Sequence, residues 1–198
     1  LHIAARFGTP ANIQALLDAG ADVMARDSRS ATPLHWIAHS RSDASVRIAT
    51  FLAAGADVRA RNKSGNTPLF NAVMMGNVAN VQVLLAAGAD VMERGMEGST
   101  PLHWVRDDPA MIEALVAAGA NIMARTEDGE TVLHYVQPTS IKARTLALLV
   151  VLGADIMARD SHGNTPLHTA ASFVNTWSYF DKDSYTTTSQ YILTLLIF

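Results

Sequence analysis

Thr32-Pro33-Leu34-His35 decides the fold, because the chain repeats it. It returns as Thr67-Pro68-Leu69-Phe70, Thr100-Pro101-Leu102-His103, Thr131-Val132-Leu133-His134 and Thr165-Pro166-Leu167-His168. The sequence opens on Leu1-His2-Ile3-Ala4-Ala5, the tail of a further copy. Successive leucines of the motif lie 33, 35, 33, 31 and 34 residues apart. A second motif runs in phase with the first: Gly20-Ala21-Asp22-Val23, Gly55-Ala56-Asp57-Val58, Gly88-Ala89-Asp90-Val91, Gly119-Ala120-Asn121-Ile122 and Gly153-Ala154-Asp155-Ile156. A fixed period of this length means stacked supersecondary units rather than one globular core.

Each unit reads as turn, helix, short loop, helix, turn. Thr is placed to cap the first helix, and Pro takes the first helical position, where its missing N–H costs nothing. Leu with small residues three and four positions on gives that helix a narrow core face, as in Leu34, Ile37 and Ala38. The second helix carries a core column: Ile13, Ile48, Val81, Ile112, Leu146 and Ile192. Each stands three residues before Leu16, Phe51, Leu84, Leu115, Leu149 or Leu195. The Gly that follows ends the helix as a left-handed cap. Such a helix pair cannot bury its own apolar stripe, so neighbours must stack.

The period and the T-P-L-H-x-A pattern resemble the ankyrin repeat over essentially the whole chain. The resemblance implies an all-α solenoid with finger-like turns. It also implies a concave surface, built from the first helices and the turn tips, where a protein partner binds. Residues 1–198 are then a single domain. Its approximate units are 1–26 (partial), 27–61, 62–94, 95–125, 126–159 and 160–198. The last is irregular, with Leu167 and Leu195 lying 28 residues apart where other units take 13 to 17. An insert is therefore expected near 175–190, bearing Trp177, Tyr179, Phe180 and Tyr185. The first motif lacks its Thr-Pro, and Leu195-Leu196-Ile197-Phe198 stands where a Gly-Ala-Asp turn should follow. A segment of a longer protein is expected.

The formal net charge is -3 and the pI about 6.1, so no surface-wide affinity for nucleic acid is expected. The absence of cysteine excludes a disulfide framework and any thiolate zinc site. No stretch approaches the roughly 18 consecutive apolar residues of a membrane span. A monomer is expected, and a cytoplasmic location, with a secreted effector as the alternative.

No nucleophile elbow, P-loop or dinucleotide fingerprint is present. The histidines His2, His35, His103, His134 and His168 fall a full repeat apart and cannot converge on one ion. They sit at the third helical position, where a side chain reaches back to the cap. No catalytic, metal or cofactor-binding residue is assigned.

Partner-binding residues are assigned instead. Trp36, Asn71, Trp104 and Tyr135 share one repeat position, two residues past the core Leu and about 200° round a helix, off the core face. Met74 and Met75 lie between the two tryptophan-bearing units. Aromatic and Met side chains are enriched at interface centres. The turn tips change sign along the array: Arg29 and Lys63, then Glu97, then Glu127 and Asp128 with Glu130. Arg61, Arg94 and Arg125, with Arg26 and Arg159, form a column along one edge. It either receives an anion or pairs with Asp22, Asp57, Asp90 and Asp155 four residues earlier. Met24, Met92, Met123 and Met157 hold a further position, interrupted by Arg59, and are expected to pack under the adjacent turn. The reading is a protein-binding scaffold with a partner of unknown identity. The alternative is a targeting segment of a larger enzyme, toxin or effector whose active domain lies outside this chain.

Overall fold

The computed structural model describes residues 1–40, 44–136 and 143–177. Most of the expected insert near 175–190, and the second helix expected over Tyr191 to Phe198, lie outside these residues. The elements are helical throughout the described residues. They are α1 His2–Phe7, α2 Pro10–Asp18, α3 Pro33–Ala38, α4 Ser45–Ala53, α5 Pro68–Met75, α6 Val78–Ala86, α7 Pro109–Ala117, α8 Val132–Tyr135, α9 Ala143–Val151 and α10 Pro166–Trp177. A short 3-10 turn at Pro101–Trp104 takes the place of a first helix in the third full unit.

Two rows result. First helices pack in the order α1, α3, α5, the Pro101–Trp104 turn, α8 and α10, while second helices pack as α2, α4, α6, α7 and α9. Ile13, Ile48, Val81, Ile112 and Leu146 are at most 1% exposed, so the column read from the sequence is the core. Each such side chain contributes about 1.5–3 kcal/mol. Leu16 differs from Phe51, Leu84, Leu115 and Leu149, being 40% exposed, because it faces the first unit's uncovered side. The helix-ending glycines Gly20, Gly55, Gly88, Gly119 and Gly153 take φ of 85°, 89°, 88°, 95° and 100°, the left-handed region where Gly costs least.

First helices are less uniform than the repeat suggests. The unit that runs only 13 residues from Leu102 to Leu115 has no room for two turns before α7. Asp108 must leave the helical region ahead of Pro109, and it caps α7 by accepting from the Met111 amide at 3.1 Å.

The histidines link units as well as capping helices. The Thr32 amide donates to His35 Nδ1 at 3.1 Å, and the Thr32 hydroxyl lies 2.9 Å from the same nitrogen. That leaves the ring proton on Nε2, which donates to the Asn66 carbonyl of the next unit at 3.0 Å. His134 repeats the arrangement with Thr131 and with the Asn164 carbonyl at 3.1 Å. His2 reaches the Ala31 carbonyl at 2.9 Å. His103 keeps its contacts with Thr100, but Glu130, the counterpart acceptor, faces Nε2 without closing a hydrogen bond. Burial pushes the His35 and His103 imidazoles below their ordinary pKa, more than the carbonyl contacts raise them.

Phe70 replaces the histidine in one unit, and two consequences are visible. The Thr67 hydroxyl is buried with no hydrogen-bond partner. The facing finger opens on Gly95, where other units have Asp27, Asn62, Thr126 or Asp160. A Cβ on Gly95 would stand 2.7 Å from Phe70 Cζ and 2.6 Å from Asn66 Oδ1. The Gly95 backbone is not left-handed, so Gly is needed here for space.

The Phe70–Gly95 fit is testable by a double-mutant cycle. Gly95→Ala should cost about 1–3 kcal/mol in urea unfolding through overpacking. In a Phe70→His background that cost should shrink. Equal costs in both backgrounds would show that the ring does not set the glycine.

The histidine links predict a pH dependence. With the folded pKa lowered, the unfolded chain binds more protons, so stability rises with pH across the interval below the unfolded value. This contribution is complete above about pH 6.5 and is lost as pH falls below it. Between pH 7 and 5, a His35→Gln variant should lose less stability than the parent. An unchanged slope would mean that His35 is not protonating on unfolding.

Candidate functional site

Trp36, Asn71, Trp104 and Tyr135 all lie on the first-helix row, and all are half-buried. Met74 and Met75, at the end of α5, are half-buried as well. One cleft takes in Trp36 and Asn71, but not Met74, Met75, Trp104 or Tyr135. The structure places these side chains in succession along one face. Trp36 stacks edge-on to His2 at 5.5 Å. Asn71 donates to the His35 carbonyl at 3.2 Å. Trp104 and His103 both meet Tyr135 edge-on, at 5.9 and 5.3 Å. The rings therefore fill gaps between adjacent units with one face and keep another toward solvent.

Their polar edges are satisfied by residues that the repeat pattern did not single out. Trp36 Nε1 donates to Asp27 Oδ2 at 2.9 Å, and Trp104 Nε1 donates to Ser99 Oγ at 2.8 Å. Asp27 lies nine residues before its tryptophan and Ser99 five. The offsets differ, so no column of the alignment carries this signal. Asp27 also accepts from the Arg29 and Ala31 amides at 2.8 Å each. Burial would raise the Asp27 pKa, but these three donors outweigh it and hold the carboxyl below its usual value.

The fingers project beside this row. Arg29, Lys63, Glu97, Glu127 and Asp128 are exposed on them. Backbone bonds tie fingers together: the Lys63 amide to the Arg29 carbonyl at 2.9 Å, Glu127 to Glu97 at 3.0 Å and Ser161 to Asp128 at 2.8 Å. The change of sign is a property of the fold as well as of the sequence. Burial, then the charges of Glu130, Glu97 and Asp128, push the Tyr135 phenol up to about 12. Burial also raises Glu130, with Asp128, Asp160 and Glu97 adding to the effect against His134.

The arginine column has a geometry that neither reading of it anticipated. In Arg26, Arg61, Arg94 and Arg125, Nη1 donates to the carbonyl four residues on in its own finger and to the carbonyl of the next arginine in the column, while among the described residues Arg159 reaches only its own finger, at Gly163. Arg26 reaches Ser30 and Arg61 at 2.9 and 2.8 Å, and Arg61 reaches Gly65 and Arg94 at 3.2 and 2.8 Å. Arg94 reaches Gly98 and Arg125 at 2.6 and 2.7 Å, and Arg125 reaches Gly129 and Arg159 at 2.6 and 2.7 Å. The expected pairing with the Asp column is absent among the described residues, where Arg61–Glu93 is the one ion pair. The reason is local. The segment after each Gly-Ala-Asp turns instead of extending, so Asp22, Asp57, Asp90, Asn121 and Asp155 accept from the amide two residues on, at 2.8 or 2.9 Å.

The methionine position also joins units. Met24 Sδ accepts from the Asp57 amide at 3.3 Å, and Met92 Sδ from the Asn121 amide at 3.2 Å. Arg59, which interrupts the series, donates from Nε to the Gly88 carbonyl at 3.2 Å. Met123 and Met157 are exposed instead, 37% and 66%. Among the described residues no cluster of three His, Cys, Asp or Glu has the geometry to hold a metal ion.

Comparison with known proteins agrees with this architecture. The family described as "Ankyrin repeats (3 copies)" matches residues 1–95 and 42–124. Among solved structures, the chain is similar to the ankyrin repeat domain of Bcl-3, described as a unique member of the IkappaB protein family. The two share 31% identity and a TM-score of 0.71, over 85% of this chain and 76% of that one. No curated protein matches.

The Trp36–Asp27 bond makes one prediction. Trp36→Phe keeps the ring and removes the indole donor. The Asp27 carboxyl, followed by carbon NMR, should then titrate at higher pH than in the parent. An unmoved midpoint would show that the indole contributes nothing to holding the carboxylate.

Proposed function

Because the chain belongs to the ankyrin repeat family, we propose that it is a protein-binding scaffold, not an enzyme, and that it acts as a monomer. Ankyrin repeats are protein–protein interaction modules. The partner would lie along the first-helix row, on Trp36, Asn71, Met74, Met75, Trp104 and Tyr135. The finger residues Arg29, Lys63, Glu97, Glu127 and Asp128 would flank it, with the outer edges of Arg61, Arg94 and Arg125 alongside. No helix among the described residues is long and apolar enough to cross a membrane.

One observation carries this reading. Trp36 and Trp104 are half-buried, and their N–H groups are bonded within the protein. Their solvent-facing surface is therefore apolar, rigid and already ordered, which lowers the entropic cost of binding. Among the described residues the second-helix row exposes no aromatic ring, although the aliphatic Leu16, Val46 and Val151 are exposed on it. Its exposed positions are mainly small or polar, such as Ala49, Gln82, Ala86, Glu113 and Ala117. The arginine column adds charge, but its Nη1 donors are committed to carbonyls, so a ligand would meet only the remaining edge of each guanidinium.

Site-specific photocrosslinking tests the choice of face. A benzophenone side chain at Met75 should trap a partner from a lysate of the source cells, and the same group at Gln82 should not. Adducts at Gln82 alone would place recognition on the second-helix row and overturn the proposal. Replacing Trp36 and Trp104 together by Ala should weaken the trapped partner's binding by more than about 2 kcal/mol.

A further inference from the structure

The first-helix row holds a cleft of about 490 Å³ beside Trp36. Arg6 from α1 and Arg29 from the first finger line it, with Asn62 and Asn71 from the next unit. Asp27 is the one carboxylate in its wall. That carboxylate is saturated by the Trp36 indole and by two amides. It pairs with neither arginine. The Arg6 guanidinium sits 5.2 Å over the Phe7 ring, and Arg61–Glu93 is the only ion pair among the described residues. The cleft thus presents two exposed cations, without carboxylate partners, around a fixed aromatic ring. The far end of the same face has the opposite character: Glu97, Glu127 and Asp128 are exposed on its fingers, and burial, with the charges of Glu130, Glu97 and Asp128 adding to it, pushes the Tyr135 phenol up.

We propose that the cleft beside Trp36 receives an acidic segment of the protein partner, whose Asp or Glu side chains meet Arg6 and Arg29 while an apolar neighbour rests on the Trp36 ring. This rests on the reading that the first-helix row binds a protein. Charge complementarity selects the occupant. A basic segment would meet Arg6 and Arg29, and an acidic one would be repelled at the Tyr135 end. The acidic segment therefore sits at the Arg6–Arg29 end of the face. Exposed charges of this kind act on encounter rate and register, so the preference should fade with added salt.

Selection of random dodecapeptides displayed on phage, against the immobilised full chain, tests this. Enriched peptides should carry an excess of Asp and Glu. Arg6→Gln with Arg29→Gln should weaken them at least about five-fold at low salt, as two exposed charge pairs imply. That difference should narrow at high salt. Enriched peptides without acidic excess overturn the proposal, as do acidic ones untouched by the double substitution. In either case, peptides that shift the methyl resonances of Met74 and Met75 would leave the first-helix reading standing. Peptides that shift only residues near Gln82 and Glu113 would overturn both. Absence of any enrichment over an empty surface also counts against the acidic segment.

Discussion

Every finger in this chain ends on backbone carbonyls that its own unit cannot fully satisfy. The neighbouring unit supplies the donors. His35 and His134 reach forward to the carbonyl ahead of the next Thr, and Arg26, Arg61, Arg94 and Arg125 reach forward to the carbonyl of the next arginine. The half-buried Asn66 and Asn164 carbonyls, left without donors, would each cost on the order of 1–3 kcal/mol, whereas the arginine-ladder bonds lie at exposed positions. Stacking therefore closes polar valences as well as an apolar seam.

The apolar half of this arrangement was legible in the sequence. Leu34, Leu69, Leu102 and Leu133, with Ile13, Ile48, Val81, Ile112 and Leu146, recur at the period of the repeat, and the structure buries them all. Thr and Pro at the helix start, and Gly at the helix end, carry local backbone chemistry that needs no tertiary knowledge. The histidine cap was legible for the same reason, since Thr32 and His35 are three residues apart. Its other bond, to Asn66, was not, because 31 residues separate the partners and the acceptor is a carbonyl that any residue possesses. The arginine ladder was hidden in the same way. A column of arginines beside a column of aspartates invites an ion-pair reading, and only the turn at Val23 and Met24 shows that the carboxylates fold onto their own backbone.

The candidate site divides along a similar line. The positions of Trp36, Trp104 and Tyr135 followed from helix geometry, but whether they are core or surface did not. They are both. One face of each ring packs against the neighbouring unit, and the indole N–H groups are held by Asp27 and Ser99. A ring fixed in this way keeps the rotamer in which its free face meets solvent. Charge gives the face its polarity, with arginine at one end and a crowd of carboxylates around Tyr135 at the other.

The histidine and arginine joints between units do not read the neighbour's side chains. A histidine or arginine that donates to a main-chain carbonyl will accept any residue at that position, so a unit can be copied, deleted or moved without a matching change next door. Such joints suit growth by tandem duplication. The Phe70–Gly95 joint is of another kind, since it depends on the ring of one unit and the missing side chain of the next. Those two units would have to be inherited together. At the Phe70–Gly95 joint, the order of two otherwise interchangeable parts is locked by shape.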